Sequence, residues 1–396
     1  MSMLPEGRER RVIVLGGHIT ALGIVRALAP FARHIEVWDR TDKSVAARSR
    51  HCSGFRQLDI HDRQIVSEAL STLPGFDGPG YVFPSEDLTA ALVSQNLDEL
   101  ASLGFAGVAA PWSVMETFFY KEKTYALAAK AGVPTPRTVD LDADTHGINE
   151  LLYPVILKPD VMQHFHELHF TKAIPCNDRT ALEANFQRYR SEDGRYRLLA
   201  QEVIPGPARQ NYSMGGLWQA GSTVSAICAR RKRQYPIDFG AATTYLDSHC
   251  PEEIIPLSEK LMAASAYNGL AEVEYKLDKR DNQLKLLEVN PRLFKWHAYG
   301  MMHGLNLPAA QIALLEDHLC KTKTYIINRD KAWRDLFSDL AACVSEVRAG
   351  QADFKLLGQE LMQRKMDSVF QVSDPWPFVR LLSLLPQLAR GGRSAL

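Results

Sequence analysis

The sequence predicts an α/β domain followed by a larger α+β unit and a helical C-terminal extension, and three observations carry that prediction. The chain opens as strand, glycine turn, helix and strand, the start of a parallel α/β unit. Arg11–Leu15 (RVIVL) ends in Gly16-Gly17, an apolar helical pattern runs through Leu22, Val25 and Leu28, and His34–Trp38 (HIEVW) is closed by Asp39. Next, a lysine- and alanine-rich helix over Val114–Ala131 stops at Gly132, Pro134 and Pro136, and short strands with helices between them follow. Finally, from about Leu307 the pattern is mostly helical.

Taken in order, a third strand, Tyr81–Phe83, leads through Pro84-Ser85-Glu86-Asp87 into a helix pattern from Leu88 to Leu103. Pro111 marks a boundary, so residues 1–111 read as one small unit. The second unit, 112–318, has strand candidates at Val155–Lys158, Leu198–Ile204 and Val224–Arg230, with a lid subdomain expected at about 135–200. The extension, 319–396, closes on Pro375–Leu388 (PWPFVRLLSLLPQL), apolar with a basic end at Arg390 and Arg393. That segment reads as a helix packed on the protein's own body, with a partner or membrane-surface contact as the alternative.

Composition excludes more than it assigns. Forty-six basic and 46 acidic residues among 396 give no formal net charge, so nothing global attracts the chain to nucleic acid or an anionic membrane. Cys52, Cys176, Cys228, Cys250, Cys320 and Cys343 are scattered without CxxC spacing, as expected of free thiols in a reducing compartment. Met1–Arg11 is polar, and no apolar run reaches the roughly 18 residues of a spanning helix. The expectation is a cytoplasmic protein with no integral membrane segment.

The stretch from Ala271 to Arg292 (AEVEYKLDKRDNQLKLLEVNPR) carries the chemistry. Two strand-like runs flank a polar turn, and pairing them as a hairpin lets Glu274 face Glu288, with Asn290 on the same face as Glu288. Two carboxylates and an amide oxygen suit Mg²⁺, which takes its remaining ligands from water and substrate phosphates. Lysines for such phosphates stand elsewhere. Lys121 and Lys123 open a helix, Lys158 ends a strand, and Lys172 closes the loop after it. Leu198–Gly206 (LLAQEVIPG) supplies an apolar strand and a Pro-Gly turn whose backbone can read an adenine edge.

The order of these pieces resembles the ATP-grasp superfamily. The matching segments are YKEKTYALAAKAGVPTP (Tyr120–Pro136), YPVILKPD (Tyr153–Asp160), QEVIPG (Gln201–Gly206), VEYK (Val273–Lys276) and LLEVNPR (Leu286–Arg292), within about residues 10–318. The closest likeness is to carboxylate–amine ligases of the carbamoyl-phosphate synthase-like and D-aspartate ligase-like type. The resemblance implies a pre-ATP-grasp α/β domain before the ATP-grasp fold. It further implies ATP and Mg²⁺, two ions with Mn²⁺ able to substitute. Lys121 and Lys158 take the places of the triphosphate lysines, and Lys123 can share the first role. Gln201, Glu202, Val203 and Ile204 fall at the adenine hinge, Glu274, Glu288 and Asn290 at the metal, and Arg292 at the arginine that steadies the transferring phosphate.

Some segments depart from the pattern. The glycine- or serine-rich loop expected after the second lysine reads VMQHFHELHF (Val161–Phe170), with His164, His166 and His169 as lid imidazoles or, alternatively, a metal site. The ribose-binding acid is replaced by Gln210-Asn211, and Asn211 is the amide taken for the ribose hydroxyls. Gly16-Gly17-His18 and Gly23 do not make the GxGxxG of a dinucleotide site. Ser85, Glu86 and Asp87 either line the substrate pocket or are solvated loop groups. Arg230–Tyr245 begins RRKRQY, a basic run that suggests either nucleic acid or, as favoured here, a small-anion site with Lys232 and Arg233 as its best cations. Within Phe294–Tyr299 (FKWHAY), His297 is either a base for an incoming amine or a packed histidine.

The expectation is therefore an ADP-forming ligase that activates a small carboxylate, an amino acid or short peptide, as an acyl phosphate and joins it to an amine. An ATP-grasp carboxylase, a thiol ligase and a non-catalytic ATP sensor are the rivals. Homodimers are common among such ligases, and the sequence marks no interface.

Overall fold

The computed structural model describes residues 4–5, 9–143, 147–161, 173–191, 194, 196–237, 242–318 and 323–391. Its first unit is a five-stranded parallel sheet of order β3-β2-β1-β4-β5, built from β1 (Arg11–Leu15), β2 (His34–Asp39), β3 (Gly54–Gln57), β4 (Gly80–Pro84) and β5 (Phe105–Gly107). Val12 to Leu15 are fully buried, which is why β1 reads as a continuous apolar run rather than an alternating one. Helix α1 (Ile19–Leu28) follows β1 as the sequence predicts, and α2 spans Arg63–Ser71. Gly16 adopts φ +107°, and a side chain there would meet Ser85 Oγ at 2.1 Å. At Gly17 a side chain would meet Asp39 Oδ2 at 2.1 Å, so these glycines let strand ends pack closely.

Two helices expected as continuous are each broken once. The 88–103 pattern is α3 (Asp87–Gln95) and α4 (Leu97–Ser102), separated at Asn96. The 114–131 pattern is α5 (Trp112–Phe119) and α6 (Lys121–Ala131), with Tyr120 extended between them. That break makes Lys121 the first residue of its own helix. Gly132 ends α6 in the left-handed conformation at φ +65°, as its place before Pro134 suggests.

A small antiparallel sheet comes next, ordered β6-β9-β7-β8: β6 (Thr138–Asp140), β7 (Val155–Pro159), β8 (Ile174–Cys176) and β9 (Leu198–Glu202). Helix α7 (Arg179–Tyr189) packs on it through Leu182, and Val139, Val155, Leu157 and Leu198 join Leu182 in a core confined to this lid.

The third sheet runs β14-β13-β10-β11-β12-β16-β17, with β15 pairing β11 in parallel. Its strands are β10 (Asn211–Gln219), β11 (Ser222–Tyr235), β12 (Ala242–Asp247), β13 (Gly269–Asp278), β14 (Gln283–Asn290), β15 (Thr324–Ile326), β16 (Ala332–Arg334) and β17 (Lys365–Asp367). Helices α8 (Ile254–Ala264) and α9 (Leu307–Leu315) pack on it, and α10 (Leu336–Arg348), α11 (Phe354–Met362) and α12 (Trp376–Gly391) form the helical C-terminal part. Three short strands, β15 and β16 before α10 and β17 before α12, widen the sheet, a feature three-residue segments cannot announce by periodicity. The first unit and this sheet share one core, in which Val12, Val14 and Leu22 join Leu270, Phe294, Trp296 and Trp333. Leu381 and Leu384 of α12 belong to that core too, so the body-packed reading of this segment holds for those residues. No helix of the described residues is long and apolar enough to cross a membrane.

Candidate active site

A cavity of about 890 Å³ lies where the three sheets meet. Its floor is the β13–β14 hairpin, whose register sets Glu274 opposite Glu288 and Glu272 opposite Asn290. The ladder then shifts, so that Tyr275 faces Leu286 and Leu287 is left as a bulge just before Glu288. Bulges re-aim side chains, and here the adjoining Glu288 is directed toward α6, with its Oε2 3.9 Å from Lys121 Nζ. Asn290 Nδ2 donates to Glu274 Oε1 (3.0 Å) and Glu272 Oε2 (3.1 Å), which leaves its Oδ1 as the acceptor for a cation.

Glu272 is a carboxylate the sequence reading passed over, although it stands two residues before Glu274 and hence on the same face. It is buried, accepts from Trp296 Nε1 at 2.6 Å, and lines the cavity. Burial first, and the charge of Glu274 second, raise it well above the usual carboxylate range. Among the described residues no three His, Cys, Asp or Glu side chains converge into a closed metal cage. Glu274 and Glu288 with Asn290 form instead an open, oxygen-only set. Such a set fits Mg²⁺, which relies on phosphate and water for its other ligands.

The lid supplies the cavity's second wall. Lys158 is the penultimate residue of β7 and is buried, with Nζ donating to Tyr125 Oη (2.7 Å) and Gln201 Oε1 (2.8 Å). Burial pulls this ammonium down to about 8, against the attraction of Glu288. Gln201 sits on β9 and lines the cavity with Glu202, Val203 and Ile204. The Glu202 N–H is taken by Arg137 O and the Val203 N–H by Pro154 O, while no hydrogen bond among the described residues uses the Ile204 N–H. Asn211 also lines the cavity, and its buried Oδ1 lacks a partner among the described residues. The loop carrying Lys172, His164, His166 and His169 lies outside the described residues.

Arg292 reaches the first unit, with Nε donating to Asp87 Oδ1 and Nη1 to Leu293 O at 2.9 Å. Asp87 thus lines the pocket, as one of the two readings of the Ser85–Asp87 turn had it, whereas Glu86 pairs with His61 at 2.5 Å.

Three expected residues stand elsewhere than their sequence reading placed them, and a fourth, His297, takes the packed one of its two readings. Arg233 donates to Asp339 at 2.8 and 2.9 Å and to Glu360, buried behind the sheet and away from the cavity. Lys232 touches the cavity wall, yet its ammonium lies 3.0 Å from Glu360 and 3.7 Å from Asp247. The residue facing the carboxylates is Arg231, whose Nη2 donates to Glu274 Oε2 at 2.7 Å. Register shifts around Arg231 to Gln234 break the alternation of β11, which is why the sequence alone pointed one and two residues too far. Lys123 pairs with Glu116 at 2.9 Å and does not line the cavity. His297 is packed instead of catalytic in placement: its Nε2 meets Thr20 O at 3.1 Å, in space that any Cβ on Gly23 would fill. Burial lowers its pKa to about 4.

A parallel N-terminal sheet, a small antiparallel lid and a broad mixed sheet closing on one polar cavity make the ATP-grasp fold. The L-amino acid ligase of Bacillus licheniformis superposes with a TM-score of 0.57 at 16% identity, over 80% of this chain and 75% of that one. The biotin carboxylase domain of Hydrogenobacter thermophilus 2-oxoglutarate carboxylase, solved with MgADP, ADP and bicarbonate, gives 0.62 at 16% identity over 79% and 71%. At the level of sequence the chain is a distant homologue of the D-aspartate ligase of Enterococcus faecium, 23% identical over 230 residues. That match covers 55% of this chain and about half, 54%, of the relative's length. No family model matches the chain.

Proposed function

We propose that this protein is an ATP-dependent carboxylate–amine ligase that forms an amide through an acyl phosphate. The observation that carries the reading is the convergence, on one cavity, of Glu274 opposite Glu288 with Lys121, Lys158 and Arg292. Glu274, Glu288 and Asn290 would hold Mg²⁺, which when bound neutralises phosphate charge. Lys121 and Lys158 bind the triphosphate, and the adenine lies along Glu202 to Ile204. A carboxylate oxygen of the substrate attacks the γ-phosphorus, and the bond to the bridging oxygen breaks to release ADP. Arg292, held by Asp87, and Arg231, held by Glu274, are fixed in place to receive the charge that moves onto the phosphoryl oxygens. An amine then attacks the acyl carbon, phosphate departs, and the amide remains. Fixed charges and a pocket walled partly by Phe118, Ile156 and Trp296 hold this sequence together without a covalent enzyme intermediate.

The test is release of ADP and phosphate from MgATP in the presence of pooled amino acids and amines, with bicarbonate as a separate arm. Substrate-dependent ADP is expected, and Glu288→Gln should lower turnover by roughly 10³-fold or more, because it removes a charge from the transferring centre. Near-normal turnover of that variant at saturating Mg²⁺ would sink the metal assignment. ADP formed with bicarbonate alone would favour a carboxylase, and AMP with pyrophosphate would overturn the acyl-phosphate route.

A further inference from the structure

Tyr125 stands one helical turn after Lys121 on α6, so the two side chains share a face. Its side chain is half-buried and lines the cavity, and its hydroxyl uses every hydrogen-bonding capacity a phenol has. It accepts from Lys158 Nζ at 2.7 Å and from Gln201 Nε2 at 2.9 Å, and it donates to Leu287 O at 2.6 Å. The first two partners belong to the lid, on β7 and β9. The third is the bulged residue that precedes Glu288. One oxygen atom therefore joins the lid's phosphate lysine to the kink that aims a metal carboxylate.

Lys158 has three N–H bonds, of which Tyr125 and Gln201 take two, leaving the third for the cavity. Without the hydroxyl that ammonium can swing, and the bulge carbonyl loses a side-chain donor holding it against α6. We propose that Tyr125 is a positioning residue that orients Lys158 and Glu288 together, so that the lid's grip on nucleotide phosphates and the metal carboxylate's aim are set by one hydroxyl. This rests on the nucleotide reading given above.

The experiment is a double-mutant cycle on MgADP affinity, measured by calorimetry on the full chain, with Tyr125→Phe, Lys158→Met and the pair. Phenylalanine keeps the ring, and a melting curve checks that each variant folds. Tyr125→Phe should weaken MgADP about tenfold, the loss typical of deleting one partner of a charged hydrogen bond. In the Lys158→Met background the same change should cost clearly less than about tenfold, since the part of its effect that passes through the lysine is then gone and only the part through Leu287 and Glu288 remains. The apparent affinity for Mg²⁺ at saturating ADP should fall in Tyr125→Phe as well. Additive losses, with the full tenfold retained in the Lys158→Met background, would show a merely structural role and overturn the inference. Wild-type affinity in Tyr125→Phe would overturn it also, leaving the nucleotide site intact. If the wild-type protein does not bind MgADP, the functional reading fails and this inference falls with it.

Discussion

The two walls of the cavity are built differently. The hairpin wall, β13 and β14, belongs to a sheet whose residues share cores with the N-terminal unit and with α5, α6 and α8. The lid wall, β7 and β9, belongs to a four-stranded sheet with a small core of its own around Leu157, Leu182 and Leu198. The Lys158–Tyr125–Leu287 chain of hydrogen bonds fastens it to the body, as does Arg197 through its pair with Glu122 of α6. On the proposed function, the carboxylates that would hold the metal stand on the wall with shared cores, and one of the proposed phosphate lysines stands on the wall with a core of its own, the one expected to move as nucleotide enters.

Native-state hydrogen exchange gives the largest expected separation between the walls. Amides of β6, β7 and β9 should exchange on the order of a hundred times faster than those of β1, β10 and β13, because the lid can open without breaching the shared core. MgADP should slow the lid amides selectively. Equal protection in both walls, with or without nucleotide, would mean that the lid is no separate unit and that the contrast is only topological.

How legible each wall was in the sequence follows the same division. The hairpin could be read because a strand has period two. Glu288 and Asn290 fall on one face by counting, but the turn register that pairs Asp278 with Gln283 would set Leu287 opposite Glu274, and it is the bulge at Leu287 that brings Glu288 there. Lys158 could be read as a strand end, and α1, β1 and β2 as an alternation of periods. What escaped was set by irregularity or tertiary fit. The bulges of β11 decided that Arg231, and not Arg233, faces Glu274. The extended Tyr120 split the longer helix pattern in two, so that the helix Lys121 was read as opening is an element of its own. His297 is a packed side chain because Gly23 leaves room for it across the core, a relation between residues 274 positions apart that no local pattern shows. Glu272 alone was legible and overlooked, since its spacing from Glu274 already placed it on the same face as that carboxylate.

Arginines 231 and 233 sharpen the comparison within the rigid wall. Arg233→Ala leaves Asp339 and Glu360 buried without their guanidinium, which should destabilise the fold by about 3–5 kcal/mol. Its stabilising partners lie on α10 and α11, so the loss should also loosen the C-terminal helices. Arg231→Ala leaves Glu274 beside an open cavity and should cost about 1 kcal/mol or less, while lowering turnover by roughly 10²-fold. Chemical denaturation and steady-state kinetics on both variants separate the roles. Full stability in Arg233→Ala, or full activity in Arg231→Ala, would reverse the assignments.

Lys158 gives the smallest effect and the most specific one, because it sets function against stability in the movable wall. Its folded pKa of about 8 lies below the 10.5 of an exposed lysine, chiefly through burial. Between those values the unfolded chain binds more protons, so this group makes stability rise with pH across that window, and its full penalty applies below about pH 8. Lys158→Met removes the buried charge while Tyr125 and Gln201 keep their mutual hydrogen bond. The variant should therefore be more stable than wild type at pH 7, by on the order of 2 kcal/mol, with the advantage fading toward pH 10. It should also fail to bind MgADP tightly, and wild-type kcat/KM for MgATP should decline above about pH 8 as the ammonium needed for phosphate is lost. Melting curves at pH 7 and pH 10 beside a pH–rate profile decide the matter: a variant less stable at pH 7 would show that the lysine serves the lid's structure, and the phosphate role would have to move to Lys121.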